Sequence, residues 1–237
     1  MTRLLVFSAH AADFVWRAGG AIALAAEAGG EVLVLSLSYG ERGESGELWK
    51  EPGQTEATVK RIRHEQALAA CEALGAEFRS LDLGDYPLEV GRAEMDRVLE
   101  VVRGFRPTLM LTHTAVDPFN PDHPVAHDVT LRARQLASGA GVASAFERIT
   151  PPAVWLFEPH QPELCGFVPN VFLDITPVFE RKRAAMEAMQ AQRYLIPYYT
   201  ELAGRRANHA RRISGDASIR YAEAHQRVTP VVTGALS

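Results

Sequence analysis

A mostly parallel β-sheet flanked by helices, an α/β architecture, is predicted by two features of the 237-residue sequence. Short apolar runs alternate with longer segments of helical periodicity from the first residues onward, and polar clusters follow the apolar runs. Residues 4–7 and 32–37 read as buried strands, and the alanine-rich segment 16–28 between them has its apolar residues at helical spacing. Strand, helix and strand joined by short connections make a βαβ unit, which implies parallel pairing. A helical pattern over 55–74 stops at Gly75, a residue suited to a left-handed cap. A short strand at 78–81, a helix at 93–105 ending before Arg106-Pro107, and a strand at 108–112 continue the alternation. Residues 123–137 form a helix opened by Pro121 and Pro124, and 153–157 and 171–173 are further strands. A long helix is predicted over 176–192, with Pro177 in its first turn, where proline is tolerated. Residues 194–237 are less regular and read as an arm or cap on a single domain spanning 1–237.

Composition narrows the function classes. With 47% hydrophobic and 23% charged residues, the chain can bury a full core. No apolar run reaches the ~18 residues of a membrane-spanning helix, and MTRLLVFSAH reads as a first strand with no cleavage site behind it. Cys71 and Cys165 lack metal or redox spacing. These features predict a soluble cytoplasmic protein. A net charge of -4 argues against nucleic acid as a partner. Arg205, Arg206, Arg211 and Arg212 gather late in the chain. They read as a solvated helix face, with a subunit contact or a carboxylate clamp as the alternatives. Together with the irregular end they make a homo-oligomer an expectation.

The polar clusters fall at one place in this map. AHAAD (9–13), YGERGES (39–45), GDYP (84–87), HTAVDPFNPDHP (113–124) and EPHQPE (158–163) each follow a predicted strand. Ligands of open parallel sheets bind outside the carboxyl ends of the strands, so these loops are expected to line one crevice. His10, Asp13 and His123 offer two imidazoles and a carboxylate, a donor set for zinc or another divalent ion with room left for water. Taken singly, a histidine at a strand end or an aspartate before a helix is ordinary capping and hydrogen bonding. Glu44 or Glu47 can serve as a general base and His160 as an acid or base. Arg17 and Arg42 can hold substrate carboxylates in bidentate pairs. Surface ion pairs are the alternative for each. His127, one helical turn after His123, either supports that residue or is packed, and Tyr198 and Tyr199 either close over the pocket or pack together. His64, His209 and His225 have no clustered partners and read as ordinary residues. Gly19-Gly20 and GERGESG fit neither a dinucleotide nor a P-loop fingerprint.

AHAAD and NPDHP resemble the AHPDD and HPDH signatures of the LmbE-like superfamily of metal-dependent de-N-acetylases. The resemblance covers about residues 3–190 and implies a Rossmann-like fold with His10, Asp13 and His123 as metal ligands. Two positions depart from it. Ala12 stands where the deacetylases have their general base, and Asn120 where they have an oxyanion-stabilising histidine. Alanine cannot take a proton from water. One branch, the 4-oxalomesaconate hydratases of gallate and protocatechuate breakdown, is similar in SAHAADFVWRAGGAIAL, LSYGERGESGELW, GDYP, DPFNPDHP and FEPHQPE. That resemblance implies a zinc-dependent hydro-lyase acting on a small tricarboxylate. Because Ala12 is not a base, another loop has to supply one, with Glu44 or His160 ahead of Glu47. Asn120 would donate a hydrogen bond to substrate. The alternatives are a rearranged amide hydrolase acting on an amino-sugar conjugate and a non-catalytic binding protein.

Overall fold

The computed structural model describes residues 1–232. β1 (Arg3–Ser8) and β2 (Glu31–Ser36) pair in parallel with Leu5 opposite Leu33 and Phe7 opposite Leu35, linked through α1 (Asp13–Glu27). α2 (Glu56–Leu74) leads to β3 (Glu77–Ser80), α3 (Arg92–Phe105) to β4 (Leu109–Thr112), and α4 (Asp122–Ser138) to β5 (Ala153–Phe157). These five strands are mutually parallel, so their carboxyl ends share one edge. Strand residues are apolar at consecutive positions because both faces are covered. Leu4, Val6, Val32 and Val34 belong to one buried cluster, and Leu5, Phe7, Leu33 and Leu35 to the other, beneath α3 and α4. Local signals set the helix ends. Thr55 accepts from the Thr58 N–H at 3.2 Å to open α2, and Gly75, at φ 76°, closes it.

The last third departs from the expectation. The helix predicted over 176–192 is a short 3-10 turn, then α5 (Phe179–Ala188), then a second 3-10 segment, Gln190–Leu195. Gln192 lies off the helical path at φ -133°, ψ 26°, because buried hydrogen bonds of its side chain outrank local periodicity. Nor are residues 194–232 an irregular arm. α6 (Ile196–Ser214) follows, with Pro197 in its first turn and Gly215 at φ 77° beyond its end. β7 (Ala222–Arg227) then enters the sheet antiparallel between β5 and β6 (Val171–Asp174), giving the order β3-β2-β1-β4-β5-β7-β6. The rest of the predicted arm, 233–237, lies outside the described residues.

β7 escapes a hydropathy reading because AEAHQR buries a charge. Glu223, 5% exposed, accepts from the N–H groups of Gly20 and Ala21 at 2.7 and 2.8 Å, in the middle of α1. Lys182 from α5 donates to Glu223 at 2.6 Å and to the Trp16 carbonyl at 3.0 Å. An ion pair thus inserts into the helix ladder. The glycines make room for neighbours on this face: a Cβ on Gly19 would lie 3.2 Å from the Lys182 side chain, and one on Gly20 2.5 Å from Ile175.

Candidate active site

Residues 9–12 turn the chain over the carboxyl edge between β1 and α1. Ser8 Oγ tightens this turn, donating to the His10 carbonyl at 2.6 Å and accepting from the Phe14 N–H at 3.3 Å. Asp13 opens α1 yet does not cap it. Its Oδ2 turns back to accept from the His10 N–H at 2.8 Å. That oxygen lies 3.3 Å from His10 Nδ1, and Oδ1 lies 3.5 Å from His123 Nε2. All three side chains are buried. The outer ring nitrogens face carboxylates: His10 Nε2 is 3.0 Å from Asp122 and His123 Nδ1 is 2.7 Å from Asp117.

His10 Nδ1 and His123 Nε2 are buried and have no hydrogen-bond partner among the described residues. Carboxylates that accept from the outer N–H groups leave lone pairs on these inner nitrogens, the usual arrangement behind a metal-binding histidine. Bonds of ~2.0–2.1 Å to a tetrahedral ion place its ligands about 3.3–3.4 Å apart, near the 3.3 and 3.5 Å that separate His10 and His123 from the two oxygens of Asp13. The buried imidazoles and carboxylate clustered here offer donors that suit a divalent cation. Glu44 can offer an atom within 4.8 Å of His10 and His123, and His113 one within 4.8 Å of Asp13 and His123. His113, though, has its Nε2 occupied by the Ala9 N–H at 3.1 Å and its ring stacked on His123 at 4.1 Å. Burial and the neighbouring His123 hold it well below the ordinary imidazole range. Burial opposes charge on Asp13, but the surrounding imidazoles hold its carboxyl well below the usual range. Burial likewise opposes charge on His10, and its hydrogen bond to Asp122 together with the nearby Asp13 carboxylate pushes it up to about 10.

Beside these residues is a cavity of about 240 Å³, lined by Asp13, Arg17, Glu44, Asn120, His123 and His160 among others. Arg17, one turn along α1, lies 3.9 Å from Asp13. Glu44 accepts from Asn120 Nδ2 at 2.7 Å and from Gln192 Nε2 at 2.8 Å. Asn120, expected to face substrate, thus directs its amide at Glu44. His160 stacks on Tyr198 at 4.2 Å, and burial together with the Arg17 charge lowers its basicity. Tyr199 lines the cavity and stacks on Trp16 at 5.5 Å.

Two of the expected residues are not brought here. Arg42 is half exposed and reaches Glu56 at 3.4 Å, while its backbone N–H binds Asp85. Glu47 is half exposed and pairs with Lys50 at 2.6 Å. The turn at Gly40, φ 71°, directs Glu44 inward and leaves both of these outside. Of the late arginines, Arg206 pairs with Glu158 and Arg211 with the Ile219 carbonyl, which leaves a subunit contact less to work with. His127 donates to the His113 carbonyl at 2.8 Å, and His225, read as ordinary, is fully buried beside Glu223. Asp117, Asp122, His113 and Gln192 escaped the sequence reading. The two aspartates had a signal, since they lie within DPFNPDHP close to a candidate histidine ligand. Gln192 had none.

Asp117→Asn is expected to weaken metal affinity about 10- to 100-fold, as losses of such supporting carboxylates do. Competition against a chelating dye reads it, and unchanged affinity would count against His123 as a ligand.

The chain is similar to known proteins along nearly its whole length. It is 47% identical over 232 residues, 97% of this chain and 90% of the relative, to the 4-oxalmesaconate hydratase of Pseudomonas putida. It is 27% identical over 224 residues, 86% of this chain and 80% of the relative, to a diacetylchitobiose deacetylase of Thermococcus kodakarensis. Among solved structures, GalB, the 4-carboxy-2-hydroxymuconate hydratase of Pseudomonas putida KT2440, superposes with a TM-score of 0.96 at 46% identity over 100% of both chains. An N,N'-diacetylchitobiose deacetylase from Pyrococcus horikoshii shares the fold, with a TM-score of 0.78 at 18% identity over 95% of this chain and 83% of the other. The family model for PIG-L, GlcNAc-PI de-N-acetylase, matches residues 5–134, more than half of the sequence, and the chain belongs to that family.

Proposed function

We propose that this protein is a zinc-dependent hydro-lyase. It adds water to 4-oxalomesaconate, or to its enol form 4-carboxy-2-hydroxymuconate, and yields 4-carboxy-4-hydroxy-2-oxoadipate in gallate and protocatechuate degradation. The observation that carries this reading is where the carboxylates stand. The turn that would present a hydrolytic base holds Ala12, 2% exposed, and the carboxylate left free to move a proton at the cavity is Glu44, from a different loop. The close relationship to the Pseudomonas hydratases supports the same substrate class.

His10, Asp13 and His123 would hold the metal, which when bound supplies Lewis-acid polarisation of an oxygen. Arg17 holds a substrate carboxylate. Glu44 takes a proton from water as the hydroxyl oxygen bonds to the carbon β to the ketone. The π electrons move towards the terminal carboxylate conjugated with the double bond, and the alkene carbon next to that carboxylate then takes a proton. His160, on the cavity wall, carries that second proton. Its lowered basicity makes it a ready donor once protonated. A cytoplasmic setting fits the two buried free cysteines, and among the described residues no helix is long and apolar enough to cross a membrane. Assembly into a homo-oligomer belongs to the same proposal and is read by light scattering.

Zinc-loaded protein is expected to bleach the conjugated ultraviolet chromophore of 4-oxalomesaconate, and a chelator to abolish the bleaching until metal is restored. Glu44→Gln and His160→Ala are each expected to lower kcat by about 10²–10⁴-fold with metal retained. If both turn over like wild type, the assignment of the proton carriers is wrong. Acetate release from N-acetylated sugars, with no loss of the chromophore, would shift the function to amide hydrolysis.

A further inference from the structure

Gln192 is 3% exposed, at a residue where the backbone between α5 and α6 leaves the helical path. Its Oε1 accepts from Arg63 Nη2 at 3.2 Å and from Trp16 Nε1 at 3.4 Å. Guanidinium and indole nitrogens only donate. The amide can therefore sit only one way round, with Nε2 directed at Glu44 Oε2, 2.8 Å away. The other Glu44 oxygen meets the same construction. Asn120 Oδ1 accepts from the Asp122 N–H at 3.1 Å, so its Nδ2 must face Glu44 Oε1 at 2.7 Å. Two amides, each locked by a donor behind it, grip one carboxylate from opposite sides.

The choice of an amide has a chemical consequence. A lysine or arginine there would hold Glu44 as an ion pair and weaken it as a base. A carboxylate would repel it. A neutral N–H donor orients the carboxylate and leaves its charge for the reaction. We propose that Gln192 is a positioning residue for the hydration: it fixes the plane of the Glu44 carboxylate towards the cavity, and Arg63 and Trp16 fix Gln192. The inference rests on Glu44 as a proton carrier. It adds a dependence of the base on α1, on α2 and on the segment before α6.

The test compares Glu44→Gln, Gln192→Leu, Gln192→Glu and the double variant E44Q/Q192L, each loaded with zinc, for kcat, KM, metal content and Tm. Gln192→Glu keeps the shape and the oxygen that Arg63 and Trp16 bind, and it replaces the donor facing Glu44 with a carboxylate oxygen that repels it; Tm shows which of the two variants holds its fold. Both Gln192 variants are expected to lose about 10- to 100-fold in kcat, the worth of a hydrogen bond to a charged group. KM and metal content are expected to stay within about twofold, the mark of an interaction that acts at the chemical step. In the Glu44→Gln background the further loss from Gln192→Leu is expected to vanish, because one residue acts through the other. Wild-type kcat in Gln192→Glu, a loss confined to KM, or an equal loss in both backgrounds would overturn the proposal. If Glu44→Gln itself turns over normally, the role of Glu44 has failed, and the positioning role with it.

Discussion

Asp13→Asn is expected to release the metal and to lower turnover by about 10³-fold or more, since removing an anionic ligand forfeits several kcal/mol of transition-state stabilisation. Asparagine preserves the shape and can still accept from the His10 N–H, so the turn between β1 and α1 survives. What it removes is the negative charge between two buried imidazole nitrogens that have no other partner among the described residues. Arg17, 3.9 Å away, would then add its positive charge to that of an incoming cation with nothing to offset it. Metal per chain by atomic emission, together with the ultraviolet assay, reads both effects, and near-ultraviolet circular dichroism checks the fold. Full metal content with wild-type turnover would remove Asp13 from the site.

The largest expected loss of stability is at Glu223. Glu223→Gln leaves the Lys182 ammonium, 3% exposed at its side chain, without its counter-charge. Breaking a buried pair in this way costs about 3–5 kcal/mol, or roughly 6–20 °C in Tm for a chain of this size. The effect depends on pH with a definite sign. Burial alone would raise the Glu223 carboxyl, but the Lys182 charge overrides it and holds the group at about 2 against an ordinary 4.5. Its folded pKa is depressed, so its stabilisation is complete above pH 4.5, declines as pH falls through the interval and is gone below about 2. The Tm gap between wild type and Glu223→Gln is therefore expected to narrow across that window in scanning calorimetry. A gap that stays constant from pH 5 to pH 2 would show that the ion pair is not its source.

These two sites mark what could be read from the residues alone. The parallel half of the sheet was legible because both of its faces are apolar and its turns use glycine and proline in their ordinary places. His10, Asp13 and His123 were legible as a candidate set because polar residues directly after apolar strands stand out. β7 was hidden because two of its buried residues, Glu223 and His225, are polar, and a strand that buries an ion pair does not look like a strand. Glu44 and Glu47 are three residues apart with the same chemistry. Successive turns of the backbone, closed by the Glu44 N–H on the Gly40 carbonyl and the Leu48 N–H on that of Ser45, place the one at the cavity and the other in solvent. Gly19-Gly20, unexplained by any nucleotide fingerprint, has its reason far along the chain, in Ile175 and Lys182, which a side chain at either position would crowd.

The position of β7 also sets a timetable for synthesis. A nascent chain that has reached residue 215 holds β1 to β5 and every residue that lines the cavity, yet the outer edge of β5 is still unpaired, and β6 has no neighbour until β7 arrives. An open strand edge invites pairing with other chains. The midpoint of α1 is also without its carboxylate until Glu223 leaves the ribosome. α1 is finished by β7, so interrupted translation yields a chain that carries the cavity-lining residues without the framework that holds them in register.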